Sequence, residues 1–432
     1  MACRTAWALA ESAPPTNPPP PPDPPAVEWR LSGFATLGLQ HVDSNAGLRF
    51  ARQANAPRAS GATDLGADSR LGLQLEANLP HNLEAVGQVV AKRLDRDDPR
   101  LGNRLELGYL AWHPDDHWRL RVGRYAPDLF LLAEYRNVGF AYPWVRPNTE
   151  VYAWLPISSL DGADVRYQWM SDDDALWRLR GSVGEWRGTL PVIEANPHLH
   201  HRQRTVSLTR EAGPLTLRAS YTHSTNIVTV APALDPAQLM APLAQVASLP
   251  LSPQVQQEAL TLRNALPLDR PHLHYAGLGL LYEGGPWLVH AELTRTKGGQ
   301  AGVATGRGYA SLGWRTGAFT WFGTVSRSHA LSAPARLDAA RWQADLTPLV
   351  GPQAAAALTG AGVLATRVVN IRRSEQRVYG LGLRWDVGNQ AAIKLQVDRY
   401  HLGAQATSGW NLQVMDGTPR ATQLSLAWDQ VF

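Results

Sequence analysis

The chain has 432 residues, 44% hydrophobic and 18% charged, with a formal net charge of +4 at pH 7. That balance is not a disordered composition, and its arginines are dispersed rather than gathered in the run or stripe of a nucleic-acid binder. The single cysteine, Cys3, excludes an intrachain disulfide and a cysteine metal centre. No apolar stretch of about 18 residues or more occurs, which excludes transmembrane helices. If this chain crosses a membrane it must do so as a closed barrel, because only helices and closed barrels satisfy every backbone polar group in lipid. Trp (16) and Tyr (12) outnumber Phe (7), so the aromatics are mostly rings with a polar tip, which favour a membrane–water interface.

The first twelve residues hold Arg4 and a short apolar run, and read as the remnant of a signal peptide behind a misplaced start. Residues 13–26 are proline-rich and read as a stiff linker. From residue 27 to 432 one pattern prevails.

That pattern has a period of two, the mark of strands with one apolar face. Trp29, Leu31, Gly33, Ala35, Leu37 and Leu39 share a face. Leu71 to Leu79 alternates with Gly72, Gln74, Glu76 and Asn78, and a turn at Pro80 to Asn82 leads into a strand carrying Ala85, Gly87, Val89 and Ala91. Pairs joined by short turns recur: Leu105–Ala111 with Trp118–Val122, Ala163–Trp169 with Trp177–Val183, and Val206–Leu208 with Leu215–Tyr221. Further along come Ala276–Tyr282 with Trp287–Leu293, Ala310–Trp314 with Phe319–Val325, and Tyr379–Trp385 with Ile393–Val397. A last strand runs from Thr422 to Phe432.

The count is about sixteen strands of roughly nine to eleven residues, the length a tilted strand needs to cross a bilayer. Other connections are long: Val42 to Asp68, Tyr125 to Leu160, Thr222 to His272 and Arg327 to Glu375. Alternating short and long connections predict an all-β transmembrane antiparallel barrel of a bacterial outer membrane, with short turns and both termini on the periplasmic side. A soluble β-sandwich also alternates. It would not sort its turns so regularly, flank them so often with Trp and Tyr, or place mixed charge and small residues on the polar face.

The segment Arg119 to Trp154 is the most individual part of the chain. Its Val138-Gly139-Phe140-Ala141-Tyr142-Pro143-Trp144-Val145-Arg146-Pro147, followed by Val151-Tyr152 and Leu160-Asp161-Gly162-Ala163-Asp164, resembles a family of Gram-negative porin-like outer-membrane proteins within the porin superfamily. An opening strand like Leu31 to Leu39 and an Arg-Val-Gly-Arg strand are also shared. The segment from 125 to 160 is, counted along the chain, the third outer loop. The resemblance implies that it turns into the barrel and that Glu134, Arg136, Arg146 and Glu150 line a constriction, where charges of both signs filter solutes by size and charge. The plainer reading is that Arg146 and Glu150 pin the loop to the wall. An aromatic terminus, with Leu424, Leu426, Trp428 and Phe432 in step, resembles the signal by which the barrel assembly machinery takes porins, although Gln430 departs from the usual apolar choice.

Residues opposite the apolar face should line the lumen. The basic set is Lys92, Arg104, Arg119, Arg121, Arg166, Arg178, Arg180, Arg218, Arg384 and Lys394. The acidic set is Glu76, Glu84, Glu106, Asp164, Glu292 and Asp398. Arg119, Arg121, Arg166, Arg178 and Arg180 fall on three successive strands and predict a basic ladder with a mild preference for anions, unless carboxylates lock them in ion pairs.

Three features stand apart. His198, His200 and His201 are placed in an outer loop, where solvated imidazoles are the plainer reading and a metal site the sharper one. Asp235 to Leu266 and Ala333 to Ala365 have helical composition and lie over or inside the mouth. No cofactor, metal or nucleic acid is expected. The partners expected are outer-membrane lipid, the assembly machinery and small solutes or ions, with a homotrimer possible through smooth patches at Gly33, Ala35 and Gly87.

The function expected is therefore passive diffusion of small hydrophilic solutes or ions, and no catalysis. Rivals are a non-conducting barrel serving as adhesin or scaffold, and a lipid hydrolase using His290 with Ser311 or Thr294. Gly-x-Ser-x-Gly is absent. A gated uptake receptor would need a folded plug before the first strand, where only the proline-rich stretch stands.

Overall fold

The computed structural model describes residues 27–432 except 54–55, 57–58, 60, 94–103, 156, 190–197, 230–235, 267–271, 299–303, 371–372, 404–409 and 411–418. The leader remnant (1–12) and the linker (13–26) lie outside the described residues.

Seventeen strands form one antiparallel sheet that closes on itself. Sixteen of them make the wall: β1 (Glu28–Ser44), β3 (Arg70–Leu79), β4 (Leu83–Lys92), β5 (Leu105–Trp112), β6 (Trp118–Tyr125), β7 (Leu160–Met170), β8 (Leu176–Thr189), β9 (His198–Ala212), β10 (Leu215–Thr229), β11 (His272–Gly284), β12 (Trp287–Gly298), β13 (Thr305–Thr316), β14 (Phe319–Ala330), β15 (Gln376–Asp386), β16 (Ala391–Leu402) and β17 (Arg420–Val431). The remaining one, β2 (Thr63–Asp64), pairs with Gln40 and His41 of β1.

Closure occurs at β1. Its first half, Glu28–Thr36, pairs with β3, and its second half, Phe34–Ser44, pairs with β17. Phe432 prolongs the seam: its N–H donates to the Gly33 carbonyl at 3.0 Å, and the Gly33 N–H donates to the Phe432 carbonyl at 2.8 Å. A Cβ at Gly33 would sit 2.4 Å from the Phe432 ring. Glycine thus lets the terminal ring lie across β1, and the smooth outer patch expected at Gly33 is covered by that ring.

Short turns follow from local chemistry. The two-residue turns Gly213-Pro214, Gly285-Pro286 and Gly317-Ala318 place a glycine at φ of 54, 56 and 57°, which a side chain with a Cβ disfavours and which suits the twist of a hairpin. Leu31, Leu73, Val122, Leu278, Leu293 and Leu381 face outward and are exposed. So continuous an apolar face is at odds with water and at home in lipid.

Several strands are longer than the apolar alternation predicts. β9 begins at His198 and β10 runs to Thr229, because their upper halves alternate polar with basic or titratable residues. The His198–His201 cluster is therefore strand rather than loop. The period of two turns exposed His198 away from buried His201, whose ring is bonded to Asn226 at 2.6 Å and Gln203 at 2.9 Å. No metal-holding group of His, Cys, Asp and Glu occurs among the described residues.

The helical stretches occupy two long connections. The β10–β11 connection holds α2 (Met240–Ser248) and α3 (Pro253–Ala265), and the β14–β15 connection holds α4 (Ala339–Val350) and α5 (Pro352–Asn370). The α1 label belongs to Thr149–Tyr152, inside the barrel. The four outer helices share one apolar core around fully buried Trp342, with Leu243, Val246, Leu262, Leu346 and Ala365. The Trp342 indole donates to Glu258 at 2.8 Å, and Ser252 donates to Asp345 at 2.5 Å, so side chains from both connections are tied together. No described helix is long and apolar enough to cross a membrane.

Candidate functional site

The β6–β7 connection, 126–159, packs against the inner face of the wall. Its aromatic side chains drive this. Phe130, Tyr142, Trp144 and Tyr152 are buried, and they join inward-facing Tyr275, Tyr309 and Phe322 in one cluster. Burying each such ring contributes roughly 2–3 kcal/mol. Trp144 meets His290 and Tyr309 edge-on at 4.9 and 5.8 Å, and its indole donates to Ser311 at 2.9 Å.

Polar groups fix the register of the loop. Lys394 is fully buried, pairs with Asp429 at 2.8 Å, and donates to the carbonyls of Gly139 at 2.6 Å and Trp144 at 2.9 Å. Arg384 donates to the carbonyls of Phe140 and Tyr142 at 2.6 and 3.1 Å. Gly139 passes so near the wall that a Cβ would lie 1.9 Å from an Asp429 oxygen. Glu292 accepts from the Leu131 N–H at 3.0 Å, from the Tyr309 hydroxyl at 3.0 Å and from Tyr152. Asp128 accepts from Arg218 at 2.6 Å and from Ser207.

The four expected constriction residues separate into two roles. Arg146 is buried and grips Asp68 with two nitrogens, at 3.0 and 2.5 Å, and also reaches Gln423 and Ser425 at 3.1 and 2.8 Å. Burial alone would raise the Asp68 carboxyl, but the Arg146 guanidinium holds it well below the usual carboxylate range. Glu150 is fully buried, accepts from Thr149 at 3.0 Å and Gln376 at 2.5 Å, and is pushed up to about 7 by that burial. Arg136 is buried and donates to the Ile157 carbonyl at 2.8 Å. These three tie the loop down. Glu134 differs: 45% of its side chain is exposed, and it faces the basic wall.

On that wall Arg119, Arg166 and Arg180 are direct neighbours across β6, β7 and β8. Arg121 pairs with Asp164 at 2.8 Å and Glu134 at 3.1 Å. Arg180 pairs with Glu134 at 2.9 Å and Asp164 at 3.2 Å. Arg119 reaches Glu84 at 3.3 Å, and Arg178 meets Glu211. Arg166, in the middle of the row, forms no ion pair among the described residues. Four of the five arginines are thus matched with carboxylates.

Asp68, Asp128 and Asp429 were missed by the inward-face count, although they hold the loop. Asp429 is detectable in hindsight: it is a lone carboxylate on the inner face of the last strand. Asp68 and Asp128 lie in connections, where the period of two does not reach.

His290 and Ser311, the candidate hydrolase pair, are cross-strand neighbours on β12 and β13. Both are buried beneath Trp144 on the inner face. Thr294 donates to the Arg307 carbonyl at 3.4 Å.

No family model and no curated protein matches the chain in sequence. Solved structures do match. The anion-selective porin from Comamonas acidovorans has a TM-score of 0.50 at 11% identity, over 94% of this chain and all of that one. The outer-membrane OmpT of Vibrio cholerae gives 0.49 at 9% identity, over 94% of this chain and 98% of that one. Salmonella typhi OmpF in complex with daunomycin gives 0.49 at 9%, over 93% and 97%. The likeness to the Comamonas porin is one of fold: this chain is a closed, sixteen-strand antiparallel barrel of the porin architecture.

Proposed function

We propose that the chain is an outer-membrane porin of a Gram-negative bacterium, open to passive diffusion of small hydrophilic solutes or ions and preferring anions. The observation that carries this reading is the inward row Arg119, Arg166 and Arg180 across β6 to β8, in which Arg166 forms no ion pair among the described residues. A row of cations that outnumbers the carboxylates facing it draws anions toward that wall. The apolar outer face and the sorted connections support a membrane setting, with the short turns on the periplasmic side. Phe432, directly after β17, suits recognition by the assembly machinery, and a homotrimer would bury part of the outer wall. We assign no catalysis, because His290 and Ser311 are closed off beneath Trp144.

A second reading draws on the helical bundle of the long connections: a non-conducting barrel whose outer loops hold a partner. Vesicle swelling separates the two. Vesicles carrying the protein should swell in isosmotic small sugars, more slowly as the sugar grows. Absence of swelling, with correctly folded protein in the vesicles, favours the second reading.

A further inference from the structure

Following the outward face of the wall toward the long connections, apolar residues give way to basic ones. Two rows of direct cross-strand neighbours stand out. Arg204, His223, His274 and Lys297 run across β9 to β12. Arg327, Arg377, His401 and Arg420 run across β14 to β17. Directly below them on the same face stand exposed Val206, Val325 and Tyr379. The rows therefore sit just past the apolar band.

Carboxylates are few here, and on the seam strand β1 exposed Asp43 stands opposite Thr422, two residues along β17 from Arg420. On the upper outward half of β8 to β17, Glu185 is the one carboxylate among the described residues, and Arg187 and His200 each meet it at 3.0 Å. Glu375, just before β15, is engaged by Arg373 at 3.0 Å. Like charges directly opposite one another across a sheet destabilise it, so rows such as these call for anions between them. Three imidazoles gather at the first row: His272 stacks on His223 with centroids 5.3 Å apart, and His274 meets His223 at a tilt, 5.0 Å away.

The opposite end of the same face is different in kind. There Trp287, Trp314 and Trp321 form a cross-strand row, Trp169 stacks on Trp177 at 5.9 Å, and Arg210 is already paired with Asp173. An aromatic belt suits any headgroup region. A basic belt suits one rich in anionic headgroups, which attract each Lys or Arg near their surface. The partner must also reach the boundary of the hydrocarbon, which a lipid does by its own chains and a free anion does not.

We propose that the two basic rows seat the phosphate groups of anionic lipid headgroups in the leaflet on the long-connection side. The inference rests on the barrel crossing a membrane, and not on whether it conducts. The rows point away from the lumen, so their loss should leave conduction alone.

The test uses the whole protein in detergent, titrated with phosphatidic acid, phosphatidylcholine or inorganic phosphate and read by native mass spectrometry. Phosphatidic acid should be retained at least several-fold more than phosphatidylcholine, and added inorganic phosphate should not displace it. The combined variant Arg204→Gln, Lys297→Gln, Arg327→Gln and Arg377→Gln should lose that preference while its single-channel conductance stays at the wild-type value. Equal retention of the two lipids, an unchanged preference in the variant, or displacement by inorganic phosphate overturns the proposal. If the fourfold variant fails to fold, as judged by loss of the heat-modifiable gel shift, Arg327→Gln with Arg377→Gln decides by the same readings. Conductance recorded on the same preparation reports the porin reading separately.

Discussion

Arg146 and Asp68 form a two-pronged ion pair in which both side chains are almost wholly buried, and the pair joins the inward segment to the connection between β1 and β3. Neither charge has water to fall back on. Breaking a buried pair from one side leaves the other charge uncompensated, at a cost of about 3–5 kcal/mol.

Arg146→Ala should therefore loosen the inward segment without dissolving the barrel, whose ladders do not depend on it. We expect larger and noisier single-channel steps and a faster protease cut within 126–159. Unchanged conductance and cleavage would show that the pair does not hold the segment.

Two pH effects of opposite sign follow. Asp68 is depressed, so its contribution is present above the ordinary carboxyl range and lost as the pH falls through its lowered value. Glu150 is raised to about 7, so the folded state holds its proton longer than the unfolded one does. Its contribution is full below the ordinary carboxyl range and declines as the pH climbs toward about 7, by on the order of 3 kcal/mol. The segment should become easier to cleave between about pH 5 and 8, and Glu150→Gln should flatten that profile.

Arg166→Glu should turn the selectivity toward cations. A unit charge at roughly 4 Å in water is worth about 1 kcal/mol, enough for a several-fold change in permeability ratio. Reversal potentials in a salt gradient measure it, and an unaltered potential would place Arg166 away from the ion path.

Gly33→Leu should impair closure, since its Cβ would fall within 2.4 Å of the Phe432 ring. The expected outcome is a lower folding yield into vesicles, partly restored by adding Phe432→Ala.

Trp342→Ala should melt the outer helices selectively. Truncating a fully buried Trp costs about 3–5 kcal/mol. Thermal circular dichroism should lose an early helical transition while the strand signal and conductance persist.

The barrel was legible because lipid outside and polar groups inside impose a period of two that survives in Leu71 to Leu79 or Leu278 to Leu293 without knowledge of the fold. It fades in the upper half of β9, where His198, His200, Arg202 and Arg204 are outward but not apolar, so the sequence there carries no strand signal. The identity of Arg119, Arg121, Arg166, Arg178 and Arg180 as inward residues followed from the same alternation. Their pairing did not, because Glu134 and Asp128 reach them from a connection whose path no periodicity encodes. The division of labour between exposed Glu134 and buried Arg136, Arg146 and Glu150 was hidden for the same reason: Asp68 and Gln376 lie 78 and 226 residues from their partners.

Planar-bilayer recording of the purified protein in a salt gradient tests the central claim most directly. The account predicts discrete, ohmic conductance steps with a reversal potential on the anion side. Folded, inserted protein that gives no steps, or steps with a cation-side potential, would contradict it.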